Sequence, residues 1–163
     1  MSIWRAFAND IQITDDGVTN CGVKMSITLK ENDKEIKTNQ PVNLAICITN
    51  ISDSVLYLLD MGITEDFSFI ITSPSNKDIS QKPLSGTLIV SRTVQQYVQP
   101  NGSVNYFLNL RSECDFNEIG TYKVTAKRKT IGGCELVSNT LKVTVVPGVW
   151  KSEVTNAPPA GLF

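Results

Sequence analysis

The sequence predicts an all-β protein: an antiparallel β-sandwich of seven to nine short strands with Greek-key connections. Three observations carry this. Apolar and polar residues alternate in several separate runs, the period-two signature of strands with one buried face. Turn signals such as Asn50-Ile-Ser-Asp53 and Pro100-Asn-Gly102 separate those runs, and no stretch sustains a 3.6-residue period. Residues 118–146 read as two long antiparallel strands joined by a Thr-Ile-Gly-Gly turn.

Residues 1–20 show little periodicity and are expected to form an N-terminal arm, with Trp4 and Phe7 pinning it to the sandwich. Asp15-Asp16-Gly17 marks a turn. Val23, Met25, Ile27 and Leu29 alternate with Lys24, Ser26 and Thr28, giving a first strand. After the polar turn 31–34, Val42, Leu44, Ile46 and Ile48 share one face of the next strand, with Cys47 on the other. Val55 to Leu59 and Phe67 to Thr72 follow as strands, the second closed by the turn 73–77. Residues 79–86 read as loop, and Thr87 to Val98 as one bent strand or two. Val104, Tyr106, Leu108 and Leu110 alternate again, and 112–119 is a loop with room for one helical turn. The sandwich is thus expected over 21–148, with 149–163 as a tail or linker, where Pro158-Pro159 cannot join a sheet interior.

Composition excludes more than it assigns. The chain has 163 residues, of which 41 % are hydrophobic and 19 % charged, enough for one buried core. Fifteen basic against sixteen acidic residues leave net charge −1, so no global field attracts nucleic acid or anionic lipid. No apolar run approaches the roughly 20 residues of a membrane helix. Histidine is absent, which removes Ser-His-Asp and Cys-His catalysis and most zinc ligand sets. The expectation is a non-enzymatic chain with no cofactor and no metal.

Cys21, Cys47, Cys114 and Cys134 contain no C-x-x-C pair. Cys114 and Cys134 flank the long hairpin and are the first pair to consider for a disulfide. Four free thiols, some buried as small apolar residues, is the alternative.

Other groups admit two interpretations. Asp60, Glu65 and Asp66 on one loop are an oxygen-rich candidate for Ca²⁺, or simply solvated loop charges. Asp115 and Glu118 are the nearest thing to a catalytic carboxylate pair, although Glu118 reads more simply as a loop cap. Lys127, Arg128 and Lys129 form a basic cluster at the hairpin tip, a candidate surface for an acidic protein or a glycan, or a solvated face. Asn50-Ile-Ser52 and Asn101-Gly-Ser103 match the N-glycosylation pattern and also ordinary turn chemistry, which is favoured.

Glu118-x-Gly120-x-Tyr122 resembles the tyrosine corner of immunoglobulin-like sandwiches. The resemblance implies a Gly120 turn, and a buried Tyr122 whose hydroxyl bonds back to the loop. The antibody cysteine position falls on Val124, and no Trp follows the strand at 42–49, so the inter-sheet disulfide of antibodies is not implied. The segments Gly22–Ile27, Pro41–Asn50, Pro100–Ser103 and Gly120–Val124 are similar to bacterial immunoglobulin-like domains. These imply a non-catalytic interaction or structural module of a secreted or cell-surface protein, with a protein or glycan partner. A further similarity, to the intracellular proteinase inhibitor family, lies at Asn50, Asn101-Gly102 and Gly120-x-Tyr122. It implies as the alternative an inhibitor presenting an exposed loop such as 74–87.

Overall fold

A computed structural model of the chain describes residues 18–30, 35–82 and 93–148. In chain order its strands begin with β1 (Val18–Asn20), β2 (Val23–Leu29), β3 (Glu35–Lys37) and β4 (Asn43–Asn50). Then come β5 (Leu56–Asp60), the single turn α1 (Ile63–Asp66), β6 (Phe67–Thr72) and β7 (Asp78–Ile79). They continue with β8 (Val94–Val98), β9 (Ser103–Asn109), the turn α2 (Leu110–Glu113) and β10 (Gly120–Lys129). β11 (Glu135–Val137) and β12 (Leu141–Val146) complete the described elements. The arm residues 1–17, the turn 31–34, residues 83–92 and the tail 149–163 lie outside the described residues.

The protein is all-β, built from several sheets. One antiparallel sheet has the order β1-β2-β4-β9. A second has the order β3-β12-β10-β6-β7, with β11 also paired to β10. It is antiparallel except for β3, which runs parallel to β12. β5 and β8 form a separate antiparallel ribbon. Inward side chains of both large sheets join one core: Met25, Ile27, Leu44, Ile46 and Ile48 from the first, Ile71, Tyr122, Val124, Val143 and Val145 from the second. The alternation that marks these strands in the sequence is the alternation of burial, most cleanly in β4, where every second side chain is buried.

Several boundaries differ from expectation. Residues 18–20, assigned to the arm, pair with β2. The hairpin between them turns on Cys21 and Gly22, both at positive φ (52° and 70°), as a two-residue turn matched to strand twist requires. β3 has a lone apolar residue, Ile36, too little for periodicity to reveal. Part of the expected loop 79–86 belongs to β7, which pairs with β6. The second strand of the long hairpin is broken. Residues 138–140 face only 125 and 126, a bulge between the β11 and β12 registers. Ser138 and Thr140 stay bonded to β10, and Asn139 bonds across to β2. Ser138 Oγ accepts from the Ala126 N–H at 2.9 Å. Asn139 accepts from the Ile27 N–H at 2.8 Å and donates to the Ile27 carbonyl at 3.1 Å. Asn139 thus acts as one residue of strand beside β2 and ties the two sheets along one side.

Candidate functional site

β10 sets out the chemistry. Its inward face carries Tyr122, Val124, Ala126 and Arg128, all buried. At one end the Tyr122 hydroxyl accepts from the Glu118 N–H at 2.7 Å and donates to the Glu118 carbonyl at 2.9 Å. Phe116 packs on the ring, with centroids 4.8 Å apart. Gly120 sits at φ +133°, and a Cβ there would meet Pro74 Cβ at 2.7 Å, so both backbone and space call for glycine. The Glu118 carboxylate accepts from the Ser75 N–H and hydroxyl at 3.3 and 3.0 Å. Asp115 forms an exposed ion pair with Lys82 at 2.8 Å. The two acids of the candidate catalytic pair therefore have separate partners.

At the other end Arg128 is only 3 % exposed. The expected basic cluster is corrected on this point: Lys127-Arg128-Lys129 is not one exposed patch. Strand alternation turns Arg128 inward with Val124 and Ala126. Lys127 faces outward, paired with Glu135 at 3.5 Å, and Lys129 is exposed. The Arg128 guanidinium donates from Nη2 to the Leu59 carbonyl at 2.8 Å and to Asp60 Oδ1 at 2.7 Å, with Asp66 Oδ2 at 3.9 Å. It lies over the rings of Phe67 and Tyr106, 4.9 and 5.1 Å from their centroids. Tyr106 donates to Asp60 Oδ1 at 2.9 Å. Burial, opposed by the Arg128 charge and aided by the bond to Asp60, pushes the Tyr106 phenol up to about 12.

Asp60 and Asp66 are therefore neither solvated nor arranged for calcium. Asp66 is 4 % exposed and accepts from the Met61 and Gly62 N–H groups as well as facing Arg128. Among the described residues no group of three or more His, Cys, Asp or Glu is placed to hold a metal ion.

The disulfide is also corrected. Cys134 bonds to Cys21, not to Cys114, across a separation of 113 residues. The hairpin tip 130–134 reaches the β1–β2 turn, where Asn20 also donates to the Glu135 carbonyl at 2.9 Å. Cys114 is a buried free thiol, pushed up to about 11 by burial, and Cys47 is free on the outer face of β4. Asn50 is fully buried, and its Nδ2 donates to the Ser54 and Val98 carbonyls at 2.7 and 2.9 Å, which leaves no room for a glycan. Asn101 lies in an exposed turn at φ 62°. Of the proposed inhibitor loop, residues 74–79 form a tight turn and β7, while 83–87 lie outside the described residues.

The open surface lies elsewhere. The outward face of the β5–β8 ribbon carries Tyr57, Leu59, Gln95 and Tyr97, and Tyr57 stands opposite Tyr97 with ring centroids 5.3 Å apart. Tyr57 and Tyr97 are 48 % and 59 % exposed, and Leu59, Met61 and Ile131 are exposed nearby. Two grooves flank this face. One, of ≈ 460 Å³, lies between α1, the start of β6 and the hairpin tip. The other, of ≈ 620 Å³, lies between the β1–β2 turn, the β4–β5 turn, the ribbon and the same tip. Thr130 and Ile131 line both. The first, charged groove contains Glu65, Asp66 and Lys127 to Lys129, which the sequence had singled out, but the aromatic face and the other groove were not singled out there.

No family model matches the chain, and no curated protein sequence does. Solved structures similar to it include a mutant beta-glucosidase from Listeria innocua in complex with laminaribiose. It shows 14 % identity and a TM-score of 0.39, covering 78 % of this chain and 16 % of that one. The complex of the Listeria innocua enzyme with gluconolactone shows 13 % identity and a TM-score of 0.38, covering 77 % and 16 %. The chain thus spans 16 % of the length of these enzymes, and a likeness at this level assigns neither fold nor activity.

Proposed function

We propose that this chain is a non-catalytic interaction module, an immunoglobulin-like β-sandwich with Greek-key connections, carried by a secreted or cell-surface protein. The observation that carries the binding role is the exposed face of Tyr57, Leu59, Tyr97 and Ile131 between two grooves. Contiguous exposed apolar surface of this kind marks an interaction site. Its aromatic residues offer large contact area at small entropic cost.

Strand order supports the fold. β2, β4 and β9 lie in one sheet and β6, β10 and β12 in the other, with chain crossing between sheets from β4 to β6 and from β9 to β10. The hydroxyl bonds of Tyr122 support it independently. The Cys21–Cys134 disulfide supports an oxidising compartment.

The test is binding of the purified chain to whole cells and to purified envelope glycans and matrix proteins, beside a Tyr57→Ser/Tyr97→Ser double variant. Saturable binding that weakens at least about tenfold in the double variant is expected. Binding indifferent to both tyrosines would overturn the proposal.

A further inference from the structure

We infer that the ≈ 620 Å³ groove beside Tyr57 is a binding site for a neutral glycan. This rests on the binding role just proposed and names the ligand class. In a chain with 19 % charged residues, the twelve lining residues of this groove among those described carry no charge. A phosphate, a uronate or a basic peptide would enter without a counter-charge, so those classes are disfavoured. The lining is not simply apolar either. Tyr57 offers an exposed ring, Gln95 an amide, and Ser52 and Ser54 hydroxyls, all beside Val55 and Ile131. A pyranose matches this mixture: its C–H face packs on an aromatic ring while its hydroxyls need partners that both donate and accept. The Ser54 hydroxyl and the glutamine amide supply both, while the Ser52 hydroxyl, its proton given to Asn50, supplies an acceptor. The volume lies within the range of small-molecule sites.

The groove is also built before any ligand arrives. Buried Asn50 holds the serine wall: its Oδ1 accepts from the Ser52 N–H at 3.1 Å and hydroxyl at 2.7 Å, and its Nδ2 donates to the Ser54 carbonyl at 2.7 Å. The opposite wall, at Gly132 and Cys134, is bonded covalently to Cys21. Fixed walls reduce the ordering cost that makes single-sugar contacts weak. The other groove differs: it is lined by Glu65, Asp66, Lys127, Arg128, Lys129 and Glu135, and its charges suit a different ligand.

The experiment is calorimetry with the intact chain against neutral hexose and pentose oligosaccharides, uronate oligosaccharides and an apolar decapeptide. Saturable binding confined to neutral sugars is expected, weakened roughly tenfold by Tyr57→Ala and several-fold by Gln95→Ala. Tyr57→Phe keeps the ring and holds affinity within about threefold. Lys129→Ala, in the charged groove, leaves it unchanged. Reduction of the disulfide loosens one wall and weakens binding while circular dichroism reports a folded chain. Binding of uronates or the peptide alone, or neutral binding indifferent to Tyr57 and Gln95, overturns the glycan assignment. If that happens while a protein partner still depends on Tyr57 and Tyr97, only the ligand class falls. If no partner of any class depends on the tyrosines, the interaction surface falls with it.

Discussion

Tyr122 and Arg128 stand on the same inward face of β10, one near each end, and both are buried. Tyr122 is neutral, and its one polar atom meets two backbone groups four residues away in sequence. Arg128 carries a full charge, and its carboxylate partner Asp60 is 68 residues distant in sequence. The tyrosine end is a local device: a turn, a glycine and a hydroxyl. The arginine end is assembled only when the β5–β8 ribbon, α1 and β9 have docked. Removing a partner at the first end exposes a loop to water. Removing one at the second leaves charge in a poorly hydrated place. The two ends of one strand should therefore fail by very different amounts.

Arg128→Ala tests this most severely. It leaves Asp60 and Asp66 facing apolar surroundings with no cation, and the expected loss is about 3–5 kcal/mol in urea unfolding. Arg128→Met with Asp60→Leu removes the closer ion pair but leaves Asp66 without its cation and Tyr106 without its acceptor, so it should recover only part of that loss. A loss below about 1 kcal/mol for Arg128→Ala would mean that water reaches the aspartates.

Next in size is the disulfide, which anchors the tip beyond the arginine end. Cys21→Ser/Cys134→Ser opens a link spanning 113 residues, and the expected cost is about 2–5 kcal/mol. Unreduced and reduced wild-type chains should bracket the variant. An unchanged unfolding midpoint in all three would place the closure of the sheets on Asn139 and the core alone.

The same contrast explains what could be read from the sequence. The tyrosine corner is local, so Glu118, Gly120 and Tyr122 announce it within five residues. Strand parity also places Arg128 inward, since it alternates with Ala126 and Val124. The expectation that adjacent charges share a solvated face obscured that. Its partners lie on β5 and α1, whose docking has no local signature. The disulfide was hidden similarly. Proximity of Cys134 to Cys114 in the chain suggested a pair, but the β1–β2 turn, not α2, meets the hairpin tip. β1 and β3 are three residues each, too short for alternation to show. The aromatic face proposed for binding was least legible, because exposed tyrosines on a ribbon differ from core tyrosines only in their neighbours.

At the tyrosine end smaller effects are expected. Gly120→Ala forces a side chain into positive φ and against Pro74, at about 1–3 kcal/mol. Tyr122→Phe should cost less, about 1 kcal/mol, because Glu118 is exposed and water replaces part of the lost bonding. Urea midpoints in that order, both above the midpoint of Arg128→Ala, sharpen the contrast. Tyr122→Phe as damaging as Arg128→Ala would erase it.

An effect confined to alkaline pH also belongs to the arginine end. Folding raises the Tyr106 phenol from 10.0 to about 12, so between those values the folded chain keeps a proton that the unfolded chain has released. The associated stability is complete below about pH 10 and is lost as pH rises through about 12. Tyr122 is shifted in the same direction by burial, so some slope survives when Tyr106 is removed. Unfolding midpoints taken from about pH 9 to about pH 12 should fall steadily in the wild type and less steeply in Tyr106→Phe. Tyr106→Phe also withdraws one hydrogen bond from Asp60, leaving Arg128 as its partner, so its stability at neutral pH should drop only slightly. Equal slopes in the two proteins would show that Tyr106 releases its proton with no hindrance from burial, and the enclosed character of the arginine end would have to be abandoned.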